Sequence, residues 1–146
     1  MSKTGRCLCG AVSFELAETP TSYGACHCAM CRKFSGGIEM GVHVQPGQIT
    51  WTGEDNIATY TSSEWAERGW CKTCGSNLFW RLTMPGPMQG LMSLCVGALD
   101  DMEGLSFDTE VYIDAKPTSH AFAGDRKRMT EAEVLEMVNA PPPEGA

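Results

Sequence analysis

The sequence WCKTCG, residues 70–75, contains two cysteines that are separated by two residues and followed by a glycine. A C-x-x-C segment must turn, and residues 72–75 supply a tight knuckle that is a common half of a tetrahedral zinc site. Near the N-terminus, Cys7 and Cys9 form a C-x-C pair whose side chains project to the same side of an extended segment. Joining the two pairs, so that Cys7, Cys9, Cys71 and Cys74 form one site, is the most economical arrangement. The alternatives are four free thiols or a redox-active C-x-x-C, although the βαβ context typical of a redox pair is missing.

A second group of cysteines lies in the sequence CHCAMC, residues 26–31. Cys26, Cys28 and Cys31 offer three thiolates, and three protein ligands leave one position of a tetrahedral zinc open for water or substrate. This group is therefore a candidate catalytic zinc site. Two other interpretations remain: a second structural site with Cys95 as its fourth ligand, or a redox device. Cys95 itself lies in an apolar stretch, where a lone cysteine is usually a small buried hydrophobe.

The length and net charge of the chain limit the classes of protein to which it can belong. The chain has 146 residues, 8 cysteines and a formal net charge of −7, which fits one compact domain; we expect it over residues 1–140, with a flexible tail over 141–146. The acidic balance argues against binding to nucleic acid or to anionic membranes, because phosphate neutralisation needs clustered Lys and Arg. No apolar run approaches the ~18 residues of a spanning helix, and the N-terminus lacks the apolar stretch of a signal peptide. We therefore expect a cytoplasmic protein, in which close-spaced cysteines are more often metal ligands than disulfides.

The hydropathy pattern predicts a mainly β fold with short connections. Alternating apolar residues and turn signals predict strands over residues 11–16, 38–44, 48–52, 57–61, 77–82, 91–96 and 110–113. One short C-terminal helix begins at a capping box formed by Thr130 and Glu133 and ends before Pro141. A short helical turn can follow Cys28. The basic cluster at residues 126–128 is interpreted as a solvated turn before the C-terminal helix.

Five motifs together resemble the glutathione-dependent formaldehyde-activating enzyme family, which includes relatives of centromere protein V. They are CLCGAV at 7–12, CHCAMCR at 26–32, TGE at 52–54, WCKTCGSNL at 70–78 and VGALDD at 96–101. The resemblance spans residues 5 to 116, and the order and spacing of three cysteine motifs make it specific.

The resemblance implies a single-domain coiled β-sheet zinc fold with two Zn²⁺ ions per chain. It implies a closed four-cysteine zinc at Cys7, Cys9, Cys71 and Cys74, and a second, catalytic zinc at Cys26, Cys28 and Cys31. The implied activity is that of a carbon–sulfur lyase, which adds glutathione to formaldehyde to give S-hydroxymethylglutathione. The implied partners are thus a small-molecule thiol and a small aldehyde.

Three-thiolate coordination suits that chemistry, because such a zinc is a weaker Lewis acid than one held by neutral histidines, and binding a fourth thiol is its natural task. Two non-catalytic hypotheses stay open: a zinc-stabilised module that binds a protein partner, and a zinc or redox sensor.

Residues for proton transfer and substrate binding are harder to assign. His27 lies between two ligands and its side chain should point away from their metal, so it either supports the site or contacts substrate, or it is packed or solvent-facing. His43 and His120 are interpreted as surface histidines. Arg32 and Lys33 either attract the carboxylates of glutathione or are ordinary solvated residues.

Overall fold

Alternation of apolar and polar residues produces the strands. In β2 (Ser13–Leu16), Phe14 and Leu16 are buried whereas Glu15 between them is exposed. The structure, a computed structural model, describes residues 3–138. The predicted tail over 141–146 therefore lies outside the described residues.

Within that range the chain forms eleven strands and two α-helices. The strands are β1 (Lys3–Arg6), β2 (Ser13–Leu16), β3 (Ser22–Cys26), β4 (Glu39–Val44), β5 (Ile49–Thr52), β6 (Ile57–Thr61), β7 (Ala66–Cys71), β8 (Asn77–Leu82), β9 (Met92–Cys95), β10 (Ser106–Val111) and β11 (Lys127–Met129). The helices are α1 (Ala29–Ser35) and α2 (Glu131–Val138). Neither helix is long and apolar enough to cross a membrane, and no other described segment is such a helix.

The strands are arranged in two sheets. A three-stranded antiparallel sheet has the order β1-β2-β5, and an eight-stranded sheet has the order β11-β10-β3-β4-β9-β8-β7-β6. The larger sheet is antiparallel except where β10 pairs with its two neighbours, β3 and β11. The mainly β fold expected from the sequence is confirmed.

The smaller sheet covers one face of the larger one. Phe14 and Leu16 from β2 belong to one buried apolar cluster with Val42 of β4, Phe79 of β8 and Leu94 of β9. Because side chains alternate between faces, Gly41 and His43 of β4, Trp80 of β8 and Ser93 of β9 project from the opposite face of the large sheet. That opposite face carries the cleft described below.

Four strands, β1, β3, β7 and β11, were not predicted. Their sequences lack the apolar alternation that reports a half-buried strand: β1 reads KTGR and β7 reads AERGWC. In β7 the buried residues include Arg68 and Gly69, with the ring of Phe79 lying over Gly69. Tertiary packing, rather than local propensity, holds such strands in place.

The two helices agree with expectation. The helical turn after Cys28 is α1, and Cys28 is its N-cap. At α2 the predicted capping box is present, since the backbone N–H of Thr130 donates to Glu133 Oε1 at 3.0 Å and the N–H of Glu133 donates to Thr130 Oγ1 at 3.3 Å.

The interpretation of residues 126–128 as a solvated turn is wrong. Residues 127–129 form β11, and the Arg126 side chain is 6% exposed, beside the carboxylate of Glu110 and over the ring of Phe107. Lys127 and Arg128 are exposed, as expected, but sequence alone does not show Glu110, the buried acid that Arg126 and Arg128 contact.

Candidate metal centres and the adjoining cleft

Four thiols converge where the start of the chain meets the turn between β7 and β8. The Sγ atoms of Cys7, Cys9, Cys71 and Cys74 all lie within 4.8 Å of one another. The Cys7–Cys9 and Cys9–Cys71 sulfur distances are 3.6 and 3.8 Å. A tetrahedral site with Zn–S bonds of about 2.3 Å has sulfur–sulfur edges of about 3.8 Å, so the four thiols fit one zinc ion.

Local hydrogen bonds support this group. The backbone N–H of Val12 donates to Cys7 Sγ at 3.3 Å, and Asn56 Nδ2 donates to Cys71 Sγ at 3.4 Å. The knuckle after Cys71 closes because Gly75 adopts a left-handed conformation with φ of 77° and its N–H donates to the Cys71 carbonyl. A hydrogen bond with Ser76 lowers the pKa of the Cys74 thiol to about 5, which favours the thiolate that a metal needs.

Three further thiols meet at the junction of β3 and α1. Cys26 ends β3, Cys28 caps α1 and Cys31 lies in its first turn; their sulfurs are within 4.8 Å of one another. The N–H of Cys31 donates to Cys28 Sγ at 3.3 Å. Among residues 3–138, no fourth Cys, His, Asp or Glu belongs to this group. The donor set therefore fits a metal with one position left over.

Contact between the three thiols changes their acidity. Hydrogen bonds from Cys26 and Cys31 lower the pKa of the Cys28 thiol to about 2. The hydrogen bond between Cys26 and Cys28 raises the pKa of the Cys26 thiol to about 12. The hydrogen bond between Cys31 and Cys26 raises the pKa of the Cys31 thiol. Three adjacent thiolates repel one another, so in the absence of a cation ionisation of Cys28 opposes ionisation of Cys26 and Cys31. Thiolate donors are soft ligands, and a divalent metal that binds thiolates well, such as zinc, would allow all three to ionise.

A buried ion pair adjoins this group. Arg68 on β7 donates from Nη1 and Nη2 to Cys31 Sγ, each at 3.5 Å, and from Nη1 to Glu39 Oε2 at 3.0 Å. The two side chains are 4% and 6% exposed. Glu39 is also the cross-strand partner of Cys26, which places its carboxylate beside the thiols. Cys95 lies behind Glu39, with its Sγ 3.8 Å from Glu39 Oε1, so its thiol is outside the three-cysteine group.

A second charged cluster involves His27, which is buried. His27 Nε2 lies 2.8 Å from Glu110 Oε1, while Arg126 Nη1 and Arg128 Nε donate to Glu110 Oε2 at 2.8 and 3.2 Å. Burial alone would raise the pKa of Glu110, but the hydrogen bonds from Arg126 and His27 outweigh it and hold the pKa below the ordinary value of 4.5. The His27 side chain is thus packed against β10, whereas the neighbouring thiols of Cys26 and Cys28 line the cleft.

A cleft of about 780 Å³ runs along the exposed face of the large sheet. The three thiols and the Glu39–Arg68 pair line one part of it. Farther along, its lining includes His43, Trp65 and Trp80. A volume of this size is usual for a pocket that holds a small-molecule ligand.

The other residues that the sequence analysis singled out lie in different places. His43 is exposed, as expected, and lines the cleft. His120 is half-buried rather than on the surface, and its Nε2 is buried without a hydrogen-bond partner within the described residues. Arg32 and Lys33 are exposed on α1 and are absent from the cleft lining.

Sequence reasoning missed Arg68, Glu39 and Glu110. Each is a charged residue inside a strand and is buried only because a strand distant in sequence brings its partner beside it. The one local signal was the alternation in β4, which places Glu39 on the same side as His43.

The family model for glutathione-dependent formaldehyde-activating enzymes (GFA) matches residues 2–115, which include all eight cysteines and both thiol groups. The chain belongs to the GFA family. The match ends before β11 and α2.

Two individual proteins are similar to this GFA chain. An uncharacterized lyase of Schizosaccharomyces pombe is 29% identical over 137 residues, which cover 92% of this chain and 95% of the relative. A crystal structure of a Rhodobacter sphaeroides protein has a TM-score of 0.54 at 20% identity and covers 71% of this chain and 98% of its own. The latter shows likeness of fold alone. Family membership and the lyase-named relative together support a lyase of the GFA type.

Proposed function

We propose that this protein is a carbon–sulfur lyase that resembles S-(hydroxymethyl)glutathione synthase. It would join a thiol such as glutathione to formaldehyde or a similar small aldehyde beside Cys26, Cys28 and Cys31. The observation that carries the proposal is the group of three thiols that lines the cleft and has no fourth protein ligand among residues 3–138.

The net reaction requires no oxidant or reductant. A carbon–sulfur bond forms between the thiol sulfur and the aldehyde carbon, the carbonyl π-bond opens, and the thiol proton ends on the new hydroxyl oxygen. Zinc bound by three cysteines would supply a fourth position for the substrate thiol and would lower the pKa of that thiol. The walls of the cleft would hold the thiol and the aldehyde close together, in the orientation that bond formation needs.

The residues of the chain hold this arrangement in place. Arg68 donates two N–H groups to Cys31 Sγ and the N–H of Cys31 donates to Cys28 Sγ, so two of the three sulfurs are fixed by hydrogen bonds. Glu39 balances the charge of Arg68 at a site where an unpaired guanidinium would be costly. Asn77 Nδ2 donates to Glu39 Oε1 at 3.4 Å and steadies the carboxylate in turn.

The other four thiols have a structural role in this proposal. A zinc at Cys7, Cys9, Cys71 and Cys74 would cross-link the segment after β1 to the β7–β8 turn, and binding to such a preformed site adds directly to the free energy of folding. The site is closed by its four ligands and offers no position to a substrate.

The test is the exchange rate between glutathione and its formaldehyde adduct, measured by NMR with zinc-loaded protein against the uncatalysed rate. We expect acceleration that disappears in Cys28→Ser. Cys95→Ser is the matched control, since it also removes one thiol but from outside the three-cysteine group, and it should keep the acceleration. Absence of acceleration with both metal sites filled would overturn the proposal.

A further inference from the structure

We propose that the cleft binds an aldehyde with an uncharged aromatic body, which lies along the sheet from the three-cysteine group to the tryptophans. The inference rests on the proposed function for the identity of the reacting group. It goes beyond that function because formaldehyde has no such body.

The floor of the cleft is a trough made by small residues. Gly24 of β3 and Gly41 of β4 are cross-strand partners, and Ser93 of β9 follows on the same side. A Cβ atom at Gly41 would come within 2.3 Å of Ser93 Oγ, so a side chain at position 41 would fill the space above the floor. Larger cleft-lining residues stand around this trough, with Glu39 at one end of β4 and His43 at the other.

Two tryptophans form a wall of the trough. Arg68, Trp80, Ser93 and His43 are successive cross-strand partners across β7, β8, β9 and β4, so they form one row on the cleft face. The Trp65 ring meets the Trp80 ring edge-on, with centroids 6.1 Å apart. Both are half-buried, and edges and faces of indole rings are favourable surfaces for an aromatic ligand.

The cleft is much longer and larger than a formaldehyde molecule. His43 lies four residue steps after Glu39 in extended chain, which corresponds to about 13 Å along β4. The cleft volume is about 780 Å³, whereas formaldehyde is little larger than a water molecule, which takes up ~30 Å³ in the liquid. Formaldehyde would thus leave nearly all of the cleft to the substrate thiol, and a larger aldehyde can share that space with it. Apolar residues such as Met30, Leu91 and Val111 also line this space.

The charges favour an uncharged occupant. Arg68 is the buried cation of the cleft lining, and Glu39 and Cys31 already engage it. The other lining cation, Lys127, lies at the exposed rim together with the acids Glu18 and Asp108. A thiol with charged ends would leave them at this rim, because a carboxylate in the deep trough would meet no free cation among residues 3–138.

The experiment compares two aldehydes that carry different substituents on the same reacting aldehyde group. With zinc-loaded protein and glutathione, NMR exchange measures the acceleration over the uncatalysed rate for acetaldehyde and for phenylacetaldehyde. We expect at least tenfold greater acceleration for phenylacetaldehyde. In parallel, the unreactive 2-phenylethanol should shift the indole N–H resonances of Trp65 and Trp80.

Two variants and one control locate the effect. Trp80→Ala removes part of the wall and Ser93→Leu fills the trough; each should weaken 2-phenylethanol binding at least tenfold, with the remaining Trp65 resonance as the reporter. Trp51→Phe is the control, because Trp51 packs on Phe14 and Phe79 on the opposite face of the sheet and should leave that affinity unchanged.

The outcomes separate this inference from the proposed function. If no aldehyde is accelerated but 2-phenylethanol binds and both cleft variants weaken it, the aromatic cleft stands and the lyase proposal fails. Equal acceleration of acetaldehyde and phenylacetaldehyde refutes the aromatic cleft while the lyase proposal stands. Absence of an indole shift with 2-phenylethanol also refutes the aromatic cleft, and the formaldehyde exchange rate then decides the lyase proposal by itself.

Discussion

Arg68 contacts the sulfur of Cys31 with both of its terminal nitrogens, although the two residues are 37 positions apart in the chain. The same guanidinium also binds Glu39, so one planar group joins the three-cysteine cluster to strand β4. A lysine has a single ammonium and cannot reproduce this forked arrangement.

Arg68→Lys should therefore weaken zinc binding at the three-cysteine group. Partners of metal ligands typically contribute 10- to 100-fold in metal affinity, and we expect about tenfold because the positive charge is kept. Competition with a chromophoric chelator measures the two sites separately. Arg81→Lys is the control, since Arg81 pairs with Glu67 away from both thiol groups; an equal loss there would contradict the role given to Arg68.

The two thiol groups should respond differently to loss of one cysteine. Cys28→Ser should lower the zinc content from two ions to one and leave the circular dichroism spectrum and cooperative unfolding in place. Cys71→Ser should abolish cooperative unfolding, because it opens the cross-link between the segment after β1 and the β7–β8 turn. Metal analysis and thermal unfolding check both variants, and identical behaviour would show that the division into two kinds of site is wrong.

Loss of the Glu110 charge should destabilise the fold in a pH-dependent way. Glu110→Gln leaves Arg126 buried without its counter-ion, which costs on the order of 3 kcal/mol at neutral pH. Because the native-state pKa of Glu110 is depressed below 4.5, its contribution is complete above that pH and is lost as the pH falls through the native-state value. The difference in unfolding free energy between wild type and Glu110→Gln should thus shrink in acid.

Urea unfolding at pH 7, 5 and 4 measures this difference. Glu67→Gln is the matched control, because the Glu67–Arg81 pair is partly exposed and should contribute less than about 1 kcal/mol. A constant gap between wild type and Glu110→Gln over this pH range would contradict the depressed pKa.

Metal loading should make the protein more acidic. Relative to a chain whose thiols are all neutral, seven ionised thiols and two Zn²⁺ ions lower the formal charge from −7 to about −10. The low-pKa thiols of Cys28 and Cys74 supply part of this change before metal binds. Capillary electrophoresis of zinc-loaded and zinc-stripped protein should show a higher anodic mobility for the loaded form. Equal mobilities would contradict the ionisation of further thiols on metal binding.

Local spacing predicted the close-spaced cysteines. Cys26, Cys28 and Cys31 lie within six residues of one another, and the pairs at Cys7 and Cys71 are recognised from residues two or three apart. The joining of those two pairs across more than sixty residues rested instead on economy and on the family resemblance, and the structure brings the four sulfurs together. Their role as zinc ligands stays a prediction. The strands with regular alternation, such as β4 and β8, were likewise found from the sequence to within one residue.

Long-range pairing set the limit of prediction. Nothing near Arg68 in the sequence indicates that it faces Cys31 and Glu39, because that meeting depends on the order of β3, β4, β9, β8 and β7 in the sheet. Arg126 was misjudged for the same reason, since its partner Glu110 is supplied by β10. The sequence gives no sign that one residue of this basic run, Arg126, is buried against β10 while Lys127 and Arg128 stay exposed.

The parallel pairing of β3 with β10 has a consequence for folding kinetics. Strand Ser22–Cys26 finds its partner in Ser106–Val111, after seventy-nine intervening residues have been placed. Contacts of such high sequence separation slow folding, because loop-closure entropy is lost before the contacts form. On a ribosome, β3 therefore waits with one edge unpaired until nearly three-quarters of the chain has emerged, and chaperone dependence during synthesis is expected to concentrate at this edge.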